Sequence, residues 1–411
     1  MIRTMKKRNN WAITITIISV LFCWIYLSSD LIAQNTKTNK DNTSYTNNMK
    51  RSFLDFQDSI STNFNIFQES QQKAFNDFKK DVQRKWGQNN FIFSDSINWV
   101  EYYEDNDVRS IVNFKDGTAN LELLIDQDDD DDDQKIENEV GKAIKELALT
   151  KGKVNDFKIE SDEQNKLSKE PILQNQLITE EGVKVTEENI DQFTKEIIDK
   201  EEIIQSTVKG TDGKSRVLVS ISIPLAPDYL KVRANKVLPI VTKYANQYNI
   251  EPELILSVIH VESYFNPKAI SHANAIGLMQ LVPSSGGQDS YEYVYGKSQQ
   301  PSRRFLFDSD NNINLGTAYL KILMTKYFDG ITNDENKRHC VVSSYNTGIG
   351  NVCLAVSGDK VPSNTVKIIN RMTTNQTYSY LSSNLKYREA REYIVKVNNK
   401  YLMYKKWLEY E

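Results

Sequence analysis

Hydrophobic and polar positions divide the chain into stretches with different periods. After the basic cluster Arg3, Lys6, Lys7 and Arg8, residues 9 to 29 carry no charge, and Trp11 to Leu27 is mostly apolar. That run is at the short end of a membrane span and long for a signal-peptide core. Residues 1–33 therefore read as a targeting element, with the basic flank held on the cytoplasmic side and the rest of the chain exported. Residues 34–52 follow as a polar tether rich in Asn, Thr and Lys. From Phe53 the period becomes helical: Phe53, Phe56, Ile60, Phe64, Phe67, Phe75, Phe78 and Val82 recur at steps of three and four. This predicts an amphipathic helix of about nine turns within 53–90, a stalk or packing helix rather than one lying on a membrane.

Residues 91–226 show mixed periods. Trp99–Tyr103, Arg109–Phe114 and Ala119–Ile125 predict short strands, with Lys115-Asp116-Gly117 as the turn between the last two. Helices are expected at 135–149 and 187–198, and Val217–Ile223 alternates as a half-exposed strand. Pro224 and Pro227 end that strand and mark a boundary. From Asp228 the pattern is helical to residue 411. Asp228 is expected to cap a helix reaching Tyr248, kinked or restarted at Pro239. A second helix runs from Pro252 to Tyr264, stopped by Asn266-Pro267, and a third covers 313–327. Two more flank Ser344–Gly348, and the last spans about 387–407. The expected fold class is α+β, a mixed domain at 91–226 followed by a mainly α-helical domain at 227–411.

At 411 residues and a formal net charge of −4, the chain has room for two or more domains and no basic signature, so nucleic acid is not an implied partner. Cys23, Cys340 and Cys353 are too few for a disulfide scaffold, and the three histidines have no metal-ligand spacing, so neither metal nor cofactor is expected. The six aspartates Asp128–Asp133 lack the spaced ligands and glycine of a calcium loop and read as a solvated loop.

One position on the Pro252–Tyr264 helix breaks the pattern in an informative way. Leu254, Ile255, Val258 and Ile259 form its apolar stripe, and Glu262 continues that stripe at helical spacing. Burial and the negative end of the helix dipole both raise a carboxylate's pKa, as a general acid working near neutral pH requires. A structural glutamate paired with an arginine satisfies the same pattern. Gln280, with paired donors and acceptors, Met279, a soft apolar wall, and Tyr345, Asn346 and Tyr393, with ring faces and amide groups, are suited to holding a sugar polymer. Taken singly, each also suits a core or turn position.

The order of these residues is more specific than any one of them. Glu262-Ser263-x-Phe265-Asn266-Pro267, then Ala275-x-Gly277-Leu278-Met279-Gln280, then Tyr345-Asn346-x-Gly348-x-Gly350 resembles the lytic transglycosylases of the goose-type lysozyme fold. Pro301–Asp308, Gly316–Leu320, Ile368–Asn370 and Arg391–Val397 are similar to the membrane-bound lytic murein transglycosylases of type C, a likeness covering most of residues 85–400. The resemblance implies cleavage of the β-1,4 bond between N-acetylmuramic acid and N-acetylglucosamine in peptidoglycan, without water, leaving 1,6-anhydromuramoyl ends. It implies Glu262 as acid and then base, with Ser263, Gln280, Tyr345, Asn346 and Tyr393 lining the cleft and Met279 against a sugar ring.

One carboxylate is enough for such a reaction, because the sugar's own C6 hydroxyl is the attacker. Asp289 and Asp308 stand in loops with capping or turn roles and are read as structural. The chain departs from the family's common pattern at Ser344, where Ala is usual, and at Thr347 and Ile349, where Gly is usual. Phe22 before Cys23 is too bulky for a lipidation box, so an uncleaved inner-membrane anchor is favoured over a cleaved peptide, with an outer-membrane lipoprotein third; the body is then periplasmic. Cys340 and Cys353 could pair there or remain two buried thiols. Glycan strands are the expected partner, and a monomer the expected state. A hydrolytic muramidase and a non-catalytic peptidoglycan-binding protein are the alternative readings.

Overall fold

The computed structural model describes residues 69–70, 72–126, 133–153 and 167–410. The expected targeting element, the tether, residues 53–68 of the amphipathic helix and nearly all of the aspartate run lie outside these residues.

The first half is a five-stranded antiparallel sheet: β1 Asn98–Tyr103, β2 Val108–Asn113, β3 Thr118–Asp126, β4 Ile204–Lys209 and β5 Ser215–Pro224, in spatial order β1-β2-β3-β5-β4. Successive side chains of a strand face opposite ways, so the sheet can bury both faces. On one face, the helix over residues 72–86 (α1) sets Phe78, Val82 and Trp86 against Val100, Tyr102 and Leu124. On the other, α2 (Asp133–Leu149) and α3 (Ile190–Lys200) bring Ile136, Ile144, Leu147 and Phe193 onto Trp99, Val112, Leu121 and Val219. Strand β4 has no counterpart in the sequence reading. It is an edge strand whose only buried residue is Val208, so it shows no apolar alternation to detect.

The second half is helical: α4 Tyr229–Tyr248, α5 Pro252–Ser263, α6 Gly286–Tyr295, α7 Arg303–Phe307, α8 Ser309–Ile322, α9 Asp334–Thr347, α10 Ile349–Ser357, α11 Pro362–Ile369, α12 Thr374–Asn384 and α13 Arg388–Glu409. A π-helical turn, Leu323–Tyr327, continues α8. Helix α5 lies at the centre, with Leu254, Ile255, Val258 and Ile259 in one core with Ala390, Tyr393, Ile394 and Val397 of α13. The architecture is the expected α+β, in which the sheet half is followed by a helical half.

Pro239 lies inside α4, which runs on through it to Tyr248 rather than restarting there. Two local expectations need correction. The Asp228 side chain caps nothing; it accepts from Lys184 Nζ at 3.2 Å instead. Ser344 to Thr347 form the last turn of α9, and only Gly348, at φ 83°, separates it from α10. Cys340 and Cys353 are both buried and free. Among the described residues, no helix is long and apolar enough to cross a membrane.

Candidate active site

Helix α5 carries the candidate acid in its last turn. Pro252 starts the helix at a position where its missing N–H costs nothing. Two left-handed residues end it, Tyr264 (φ 48°) and Phe265 (φ 61°), a conformation that L-residues rarely adopt and that turns the chain sharply away. Glu262 therefore sits on the last helical turn at a fixed exit.

The Tyr393 hydroxyl of α13 donates to Glu262 Oε1 at 2.7 Å. Burial pushes Glu262 up to about 7 from an ordinary 4.5; the Tyr393 hydrogen bond pulls the other way, and the nearby Glu389 carboxylate pushes up again. Burial, together with the Glu262 charge, holds the Tyr345 and Tyr393 hydroxyls well above the usual phenol range, so both remain donors at any physiological pH. Tyr345 donates to the Met279 carbonyl at 2.7 Å, and its ring lies 5.4 Å from that of Tyr319.

The loop carrying Gly277, Leu278, Met279 and Gln280 is pinned from three sides. Ser263 Oγ donates to Leu278 O at 2.8 Å, tying the loop to the residue after Glu262. From α8, Asn312 accepts from Met279 N at 2.8 Å and donates to Ile276 O and Leu306 O. Tyr345 supplies the third tie. Gly277, at φ 77°, belongs here because a Cβ would strike Leu306 O and the Asn312 amide.

The residues singled out in the sequence therefore separate into two layers. Glu262, Tyr345 and Tyr393 come together around the carboxylate, and half-exposed Asn346 follows Tyr345 on α9. Ser263 and Met279 lie beneath, fully buried: the serine hydroxyl is committed to Ile259 O and Leu278 O, and the Met279 thioether is packed onto Gly316 of α8. Gln280, nearly buried, spends its Nε2 protons on Ala269 O and Gly277 O. Asp308 accepts from Asn311 N as the N-cap of α8, and Asp289 is exposed in the first turn of α6.

Glu389 and Asn312 are the functional candidates that sequence reasoning passed over. Glu389 is exposed, one turn before Tyr393 on α13, and a spacing of four from a residue already assigned to the cleft was its available signal. Asn312 had no signal, because a buried side chain that orients a loop looks like any other polar helix residue. Among the described residues, no group of histidine, cysteine or acidic side chains is arranged to hold a metal ion.

Comparison with known proteins matches the two halves of the chain to two families of domain. Residues 239–365 match the model of the transglycosylase SLT domain, and residues 60–236 match that of the membrane-bound lytic murein transglycosylase C N-terminal domain. Proteins named membrane-bound lytic murein transglycosylase C are similar over most of their length. The protein of Klebsiella pneumoniae subsp. pneumoniae is 34% identical over 79% of this chain and 87% of its own. That of Serratia proteamaculans is 33% identical over the same shares, and that of Sodalis glossinidius 34% identical over 78% and 85%. Of solved structures, the 70-kDa soluble lytic transglycosylase of Escherichia coli is similar at 23% identity, over 41% of this chain and 24% of that one, with a TM-score of 0.32. A type C N-terminal domain joined to a transglycosylase SLT domain makes the chain a lytic murein transglycosylase, a lyase acting on peptidoglycan. Within that class, the chain belongs to the membrane-bound lytic murein transglycosylase C family.

Proposed function

We propose that the enzyme cleaves the β-1,4 bond between N-acetylmuramic acid and N-acetylglucosamine with Glu262 as the sole acid–base group. The observation that carries this reading is a carboxyl raised to about 7 by burial and held by one donor, Tyr393. At neutral pH such a group is populated in both forms, as a residue acting first as acid and then as base requires. Protonated Glu262 gives its proton to the glycosidic oxygen as the C1–O bond breaks. The C6 hydroxyl of the same muramoyl ring closes on C1, and carboxylate Glu262 takes the hydroxyl proton. Atoms balance without water, the product is the 1,6-anhydro end, and the attacker's tethering replaces a second carboxylate.

Tyr345, Asn346 and Tyr393 are proposed to touch the glycan. Ser263, Met279 and Gln280 are proposed to act through the loop they hold. The enzyme works as a monomer on the periplasmic side, with residues 1–33 as its membrane tether. The relatives' names, which say membrane-bound, support that placement.

Exposed Glu389 favours one competing reading, a hydrolytic muramidase in which it positions a water. Mass analysis of fragments released from purified sacculi separates the two. Anhydro ends from wild type, persisting in Glu389→Gln and absent in Glu262→Gln, are expected. Reducing ends that vanish in Glu389→Gln would establish the hydrolase.

A further inference from the structure

The chain just beyond Glu262 is gripped by the sheet half of the molecule. Arg233 of α4 is 5% exposed. Its guanidinium lies 3.5 Å from the centre of the Phe114 ring and donates to Gln176 Oε1 at 3.0 Å, both groups of the sheet half. Its other amino group donates to the carbonyl of Phe265, three residues after Glu262. Three further ties follow within five residues. Asp95 O accepts from Asn266 Nδ2 at 3.3 Å and from Ile270 N at 3.4 Å, and Lys268, 1% exposed, reaches Val100 O of β1 at 3.3 Å.

Helix ends fray unless something outside holds them, and Glu262 lies within one turn of such an end. The two left-handed residues that follow it are a conformation the surroundings must enforce. The enforcing groups are Arg233, itself held by Phe114 and Gln176 of the sheet half, and the Asp95 and Val100 carbonyls of that same half. We propose that the sheet half is a clamp on residues 264–270, that it thereby sets the position of the Glu262 carboxylate for the reaction, and that Arg233 is its chief positioning residue. Its role is geometric: the two side chains that, besides burial, set the charge state of Glu262, namely Tyr393 and Glu389, both belong to the helical half. The inference rests on Glu262 being the reacting acid.

The test uses the full chain in detergent, measuring kcat and KM for release of labelled soluble saccharide from sacculi at a temperature where every variant is folded by circular dichroism. Arg233→Met, which keeps bulk and loses both donors, is expected to lower kcat by about 10- to 100-fold, the penalty typical of an ångström-scale misplacement, with KM changed less than about twofold. Arg233→Lys, which keeps the charge and one reaching donor, should recover part of the loss. Gln176→Leu removes only the sheet half's acceptor and should lower kcat by a smaller factor in the same sense. A folded Arg233→Met with wild-type kcat overturns the proposal. Should that variant fail to fold, unchanged kcat in both Arg233→Lys and Gln176→Leu overturns it instead. Saccharide release counts turnover whatever end group forms, so an error in the product chemistry leaves this test intact. Full activity in Glu262→Gln, run alongside, would remove the acid's assignment and with it the premise.

Discussion

Glu262 and Tyr393 form one unit, and the unit has two measurable consequences. The Tyr393 hydrogen bond lowers the carboxyl's pKa against the larger upward push of burial. Tyr393→Phe should therefore raise it, moving the alkaline limb of kcat/KM to higher pH; a limb unmoved or moved down would contradict the bond's role. The same burial governs stability. A carboxyl whose folded pKa stands above its unfolded one stabilises the fold below about pH 4.5, and that contribution is lost as pH rises through about 7. Glu262→Gln should then be more stable than wild type at pH 8, by on the order of 3 kcal/mol at most and read as a higher unfolding temperature, with the gap closing at pH 5. At this scale much was legible: the stripe Leu254, Ile255, Val258, Ile259 continued by Glu262 is visible in the periodicity alone. Whether a neighbour faces the cleft or the core beneath was not. Ser263 and Met279 belong to the same motifs as Glu262 and Gln280, and only the packing of α8 and the loop puts both below the surface.

Among the elements, the close approach of α8 to the 277–280 loop is the contact that most constrains the cleft floor. A Cβ on Gly316 would come within 2.8 Å of Met279 Cβ, atoms that a rotamer change does not remove. Gly316→Ala should cost about 1–3 kcal/mol as an overpacked core, read as a lower denaturant midpoint, and should lower kcat by shifting the carbonyl that Tyr345 holds. Elements with strong alternation or a clear stripe, such as β2, β3, α2 and α5, were readable to within a few residues. Helix α6 was not, because Gly286-Gly287 at its start suggests a turn. Crowding requires the glycine at Gly287, where a Cβ would meet Val282 O at 2.8 Å, while Gly286 packs closely under the Tyr319 ring.

For the whole molecule, the two matched regions meet inside a single helix. Residues 60–236 and 239–365 divide within α4, so Arg233 belongs to one match and α4 from Pro239 onward to the other. A chain of residues 227–411 should lose the partners of Arg233, Asn266 and Lys268 and show a lower unfolding temperature and a lower kcat than the full chain. Equal values would mean that the halves are independent. This coupling could not be read from the sequence. Composition and periodicity report which residues seek burial, but a carbonyl such as Phe265 O or Asp95 O leaves no trace of who will bond it.

The same grip bears on the order in which the protein is made. The sheet half's core is completed in part by the Tyr229 and Tyr264 rings, and Val100 O is covered by Lys268. Synthesis runs from the N-terminus, so the first half emerges with those places still open. Those places are filled only when the chain has been delivered through residue 268, and by then the α5 helix is already out. The helix end and the groups that hold it are therefore expected to close together, late in synthesis.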